Sequence, residues 1–176
     1  MIQGLQPALW HELFATFAGV CAALLGLFFV AISFHVREVE SEPAALHRAR
    51  SGLEALASSL TVSLFALIPG QPAPWLGAEV IVIQLGLLAL NLTYAVRTFR
   101  HAPELFDRSR KLAGAVGVTA IASMIVGGIS LIVGRGPGLF MVMPAVVATV
   151  LLGSYFAWSV LFSRPAPRHS KRDHQA

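Results

Sequence analysis

Four stretches of this chain, 13–36, 80–96, 112–134 and 136–163, contain no Asp, Glu, Lys or Arg. An α-helix advances about 1.5 Å per residue, so roughly 20 apolar residues cross the hydrocarbon core of a bilayer with their backbone groups bonded inside the helix. A fifth run, 55–70, is shorter and richer in hydroxyls, with Ser58, Ser59, Thr61 and Ser63. Composition points the same way: 56% of the 176 residues are hydrophobic and 12% are charged, where a soluble domain carries about 25% charge. A cleaved signal peptide would need a positive leader and a short apolar stretch. Residues 1–12 hold no Lys or Arg, and the first run is too long. The single cysteine, Cys21, lies inside that run, has no second cysteine to pair with, and is expected to be a small packing residue.

The cations are distributed unevenly. Short loops keep Lys and Arg on the cytoplasmic side, and that bias sets orientation. The segment before the first run has none, and the connection around 70–79 has none. The first connection has Arg37, Arg48 and Arg50; the third has Arg97, Arg100, Arg108, Arg110 and Lys111; the last segment has Arg164, Arg168, Lys171 and Arg172. Arg135 stands alone between the fourth and fifth runs. If all five runs span, twelve of the thirteen cations fall on one side. A buried re-entrant segment is the alternative for 55–70, and the alternation favours a span. The net charge of +4 is thereby accounted for by topology, and no nucleic-acid partner is expected.

The expected fold is therefore all-α: an integral membrane helical bundle of five transmembrane helices, with the N-terminus outside and the C-terminus cytoplasmic. The spans fall at about 13–36, 53–70, 77–97, 112–134 and 138–162, within one transmembrane domain over 1–163. Residues 164–176 are basic, contain proline and lack apolar periodicity, so a disordered cytoplasmic tail is expected. Trp10 and Trp75 mark the outer interface, and Tyr94 and Trp158 the inner one. Pro69, Pro72 and Pro74 break the chain between the second and third spans. Gly134, Gly136 and Gly138 make the next outer turn short enough for an antiparallel hairpin, and Pro144 is expected to bend the last span.

In lipid, helices associate through small residues and polar contacts. Ala15, Gly19, Ala22, Ala23 and Gly26 give the first span one small face. Ala115, Thr119, Ser123 and Gly127 repeat at four-residue intervals on the fourth. Both faces are candidate close contacts, within one subunit or between subunits. Two polar stripes also stand out. Glu54, Ser58 and Thr61 share a face of the second span; Gln84, Asn91 and Tyr94 share one of the third. Polar groups at membrane depth must find partners. Either the stripes bond to each other inside the bundle, or they line a hydrated path. No charge lies at the bilayer centre, where proton relays and coupled transporters place one.

No HExxH, CxxC, GxSxG or GxxxxGK pattern is present. The histidines, His11, His35, His47, His101, His169 and His174, lie at span ends, in connections or in the last segment. His11 and His35 stand about 36 Å apart along a helix, too far to share a metal or haem. The sequon Asn91–Leu92–Thr93 falls inside a span and is not a glycosylation site. No metal, cofactor or catalytic set is expected.

The stretch FAGVCAALLGLFFVAIS (17–33), the span 53–67 ending in Pro69, Gly70 and Gln71, and Gly77–Ala78–Glu79 after it resemble a family of small actinobacterial membrane proteins, some labelled modulators of the FtsH protease. The resemblance covers about the first half of the chain. It implies a bacterial plasma-membrane protein with a membrane-bound partner, and carries no catalytic residues with it. The expected function is accordingly a non-enzymatic multi-span membrane protein, a homo-oligomer or a partner of another membrane complex. The alternative is a small oligomeric channel or transporter with a polar path along spans two and three.

Overall fold

A computed structural model describes residues 7–41, 43–101 and 108–161. A 3₁₀ turn at Pro7–Trp10 leads into α1 (His11–Phe34), followed by a short α2 (Val36–Ser41), α3 (Pro43–Ala66), α4 (Ala73–His101), α5 (Arg108–Val133) and α6 (Gly138–Leu161). The described residues contain no strand.

Four helical stretches are long and apolar enough to cross a membrane: His11–Phe34, Ala73–Leu90, Leu112–Val133 and Gly138–Val160. The fifth long helix, α3, matches them in length but not in composition. It begins at Pro43, ten residues before the span expected at 53, and so takes in Arg48 and Arg50. Short α2, absent from the sequence reading, buries Val39 and leaves Arg37 and Glu40 exposed. The expected tail at 164–176 lies outside the described residues.

The five long helices alternate in direction. His11 at the start of α1 meets the Leu67 carbonyl just past the end of α3, with 3.1 Å between Nε2 and the oxygen. Trp10 stands edge-on to Phe140 at the start of α6, ring centres 4.8 Å apart. The start of α3 lies against the end of α6, where Gly52 approaches Gly153. One end of the bundle, end A, therefore holds Trp10, the 67–72 turn and the 134–137 turn. The other, end B, holds α2 and the ends of α4 and α6. Among the described residues, Arg37, Arg48 and Arg50 lie in elements at end B, and Arg135 lies in the turn at end A.

Packing runs α1 on α3, α3 on α6, α6 on α5 and α5 on α4, with a smaller contact returning from α4 to α3. Glycines set the close crossings. A Cβ on Gly77 of α4 would lie 2.5 Å from the Gly128 carbonyl of α5, and one on Gly128 would lie 2.9 Å from the Gly77 carbonyl. A Cβ on Gly127 would meet the Gly138 carbonyl at 2.9 Å, and one on Gly153 would meet Leu56 Cγ at 2.7 Å. Close backbone approach of this kind replaces the hydrophobic drive that lipid does not supply. Between the crossings, Phe14, Leu56, Leu76, Met124, Leu139 and Val146 are fully buried. Outside, large apolar side chains on every long helix are exposed, among them Phe29, Leu64, Val82, Val118 and Leu151. A soluble monomer does not carry so much exposed apolar surface; a bilayer covers it.

The α5–α6 turn is held by Ser130. Its hydroxyl donates to the Arg135 carbonyl and accepts the first amide N–H of α6, from Gly138, at 3.0 Å. Gly134 and Gly136 take φ of 68° and 90°, left-handed values that favour glycine. α6 runs on through Pro144, whose ring faces outward.

A buried polar core as candidate functional site

Ser58 and Ser59 are neighbours in α3, so their side chains point about 100° apart around the helix and reach different partners. Gln84 of α4, 1% exposed, donates from Nε2 to Ser58 Oγ at 3.1 Å. Ser59 and Thr149 of α6 bring their hydroxyl oxygens to 2.6 Å. Thr149 Oγ1 lies 3.0 Å from the Ala145 carbonyl and 2.9 Å from that of Val146. A hydroxyl has one proton. Ser59 Oγ likewise lies 3.0 Å from the Ala55 carbonyl of its own helix, so either hydroxyl can donate across the pair while the other turns back to its helix. One turn further, Ser63 is fully buried and its hydroxyl has no hydrogen-bond partner. The core thus ties α3 to α4 and α6 through hydroxyls and one amide, groups that hydrogen-bond without carrying charge near neutral pH.

The expected polar stripes are only partly brought together. Gln84 and Ser58 pair. Glu54 accepts from Arg50 Nε at 2.6 Å, one turn along its own helix, with the two side chains 18% and 36% exposed. Thr61 turns back to the Ala57 carbonyl at 2.8 Å. A helix face defined by i, i+4, i+7 is wide enough for its edges to meet different surroundings, and here its members do. The side chains of Asn91 and Tyr94 lie outside the described residues. The stripe reading left out Ser59, Ser63 and Thr149. Ser59 and Ser63 are themselves one turn apart, and Thr149 is the single threonine in an otherwise apolar stretch of α6.

The two small-residue faces also divide. Gly19, Ala23 and Gly26 point away from the bundle, with Gly19 and Gly26 open beyond 4 Å. α1 packs inward instead through Phe14, Ala18, Cys21 and Phe28. Large side chains win that contact because the Phe28 ring fills the space over Gly52, whose added Cβ would meet it at 2.8 Å. On α5, Ala115 and Thr119 are exposed, Thr119 bonding the Ala115 carbonyl. Ser123 and Gly127 face α6, Ser123 donating to the Met141 carbonyl at 2.9 Å. The ladder is a packing face over its end A half alone.

At end A, Gln71 donates from Nε2 to Glu79 Oε2 at 2.5 Å. Among the described residues no three His, Cys, Asp or Glu side chains gather as a metal site. Comparison with protein-family models, with characterised proteins and with solved structures finds no match.

Proposed function

We propose that this is a non-enzymatic, multi-pass plasma-membrane protein that acts by association, with itself or with another membrane complex. The observation that carries the reading is the pairing of mid-helix polar groups with one another, Gln84 with Ser58 and Ser59 with Thr149. Groups that satisfy each other inside the bundle are structural ties, and no substrate has to complete them. In this reading α3 is the fifth span: it lies antiparallel to its neighbours, and its paired Arg50 and Glu54, together with its inward serines, lower its hydropathy. The basic end B is cytoplasmic and end A is outside. The open face of α1, with Gly19, Ala23 and Gly26, supplies a surface for a second helix. The partner role implied by the family resemblance of the first half is consistent with such a surface.

The experiment is paired. Purified protein in liposomes is expected to give background flux of small ions, while Gly26→Cys protein cross-links to a copy or a co-purifying partner. Flux above background that Gln84→Leu abolishes would overturn the reading. That result would favour a small oligomeric channel, for which the buried, unpartnered Ser63 hydroxyl is the supporting observation.

A further inference from the structure

The polar core sets the depth of a charged pair. Thr149 is the middle residue of the apolar stretch Gly138–Val160, and Ser59 Oγ lies 2.6 Å from its hydroxyl. On the membrane reading above, Ser59 therefore stands at the bilayer midplane. Glu54 comes five residues earlier in α3 and Arg50 nine, about 7.5 and 13.5 Å toward end B. Hydrocarbon extends about 15 Å from the midplane, so both lie inside it. An arginine this near an interface can extend its side chain to the headgroups. Arg50 instead turns inward, its Nε 2.6 Å from Glu54 Oε1.

The bundle is open beside this pair. Leu76, Val80 and Gln84 are each 1% exposed and close the first half of α4 against its neighbours. Leu88 lies one turn beyond Gln84 and three turns beyond Gly77, which crosses α5, so it points to the same side of the bundle. It is nevertheless 36% exposed. On α3, Ser51 and Glu54 precede Ser58 by seven and four residues and continue the side that meets Gln84. Both are half-buried. The two helices thus part beyond the Gln84–Ser58 bond, and the gap opens toward end B.

A carboxylate accepts up to about four hydrogen bonds, and Glu54 takes one from Arg50. Leucine and lipid tails have none to give. Ionised groups inside the hydrocarbon are tolerated where they face one another or a water-filled cavity. From the depth of this pair and the opening beside it, we propose that α3 and α4 enclose a blind aqueous vestibule. It is entered from end B, lined by Ser51, Glu54 and Leu88, and closed near the midplane by Gln84 and Ser58. Its ligands are water and small hydrophilic solutes, which the Glu54–Arg50 pair holds in place of lipid. The closed floor distinguishes it from a channel and is compatible with a protein that acts by association.

The test is thiol labelling of the full chain in sealed vesicles, in a Cys21→Ala background. Leu88→Cys and Ala89→Cys are neighbours at one depth, and Ala89 is exposed on the side of α4 turned away from Gln84. A small membrane-impermeant reagent, added on the side from which Ser41→Cys labels, should modify position 88 about tenfold faster than position 89. Arg50→Gln removes the partner of the carboxylate. A cationic reagent should then gain about fivefold over an anionic one at position 88, and an unchanged ratio would remove Glu54 from the vestibule. Should Arg50→Gln not fold, Ser51→Cys takes its place: labelling from the same side is expected, and resistance would overturn the lining. Slow labelling at both 88 and 89, or labelling of 88 from the opposite side alone, would overturn the vestibule and leave the span intact. Fast labelling at both would take this half of α4 out of lipid and refute the membrane reading itself.

Discussion

Gln84 of α4 reaches across to Ser58 of α3 with a 3.1 Å hydrogen bond, between two helices that pack against each other far less than α4 packs on α5. Interhelical hydrogen bonds in membranes average about 0.6 kcal/mol and reach about 1.7. Because this one is buried on both sides, Gln84→Leu and Ser58→Ala should each lower stability by about 1 kcal/mol. The double variant should cost less than the sum. Reversible unfolding in mixed micelles measures the coupling, and strictly additive losses would show that the bond contributes nothing.

The glycines fall into two groups with opposite expected responses. Gly77→Ala and Gly128→Ala press a methyl into backbone on the facing helix, at 2.5 and 2.9 Å. Neither carbonyl can move without separating α4 from α5, so each should destabilise by about 1–3 kcal/mol. Gly19→Ala and Gly86→Ala meet nothing within 4 Å. There alanine should be neutral or stabilising by up to about 1 kcal/mol, through lower backbone entropy in the unfolded chain. Midpoints from thermal scans of the four variants check the sorting. A loss at Gly19 matching that at Gly77 would mean that α1 is covered by another subunit.

How much of this was legible in the sequence depends on the kind of signal. The long helices followed from uncharged runs, because a bilayer imposes length and apolarity directly. The start of α3 did not, since Arg48 and Arg50 read as a connection although helix continues through them. Gln84 with Ser58 was accessible as a pair of polar positions on adjacent antiparallel spans. Ser59 with Thr149 was not, because α3 and α6 are far apart in sequence and nothing local announces that they touch. Smallness suggested a close contact at both Gly127 and Gly19, and only Gly127 makes one within the chain. A small residue permits close approach, and which helix arrives is decided elsewhere, here by Phe28 seating over Gly52.

A second consequence of the polar core concerns water. Gln84 is 1% exposed and Ser59 is fully buried. A cysteine at either position in a well-folded protein should resist a small aqueous thiol reagent, with labelling at least tenfold slower than for Gln71→Cys at end A. Cys21, buried against the bundle, should be replaced by alanine in the background so that the introduced thiol is read alone. Fast labelling at both 84 and 91 would put solvent between α3 and α4 and promote the channel reading.

The last prediction is whether α3 crosses. It runs antiparallel to α1, with His11 at one end of the pair against the Leu67 carbonyl. α1 is apolar enough to span, so a helix of the same 24-residue length lying beside it should traverse the same thickness. Ser41 and Gln71 bracket α3. Cysteines placed there in turn should label from opposite sides of sealed cells, 71 directly and 41 only after permeabilisation. A reporter fused after Ala176 should then read cytoplasmic. Labelling of 41 and 71 from the same side would make α3 re-entrant. Labelling of 41 alone from outside would keep five crossings and invert the orientation, setting the cation asymmetry of end B against the rule that predicts its side.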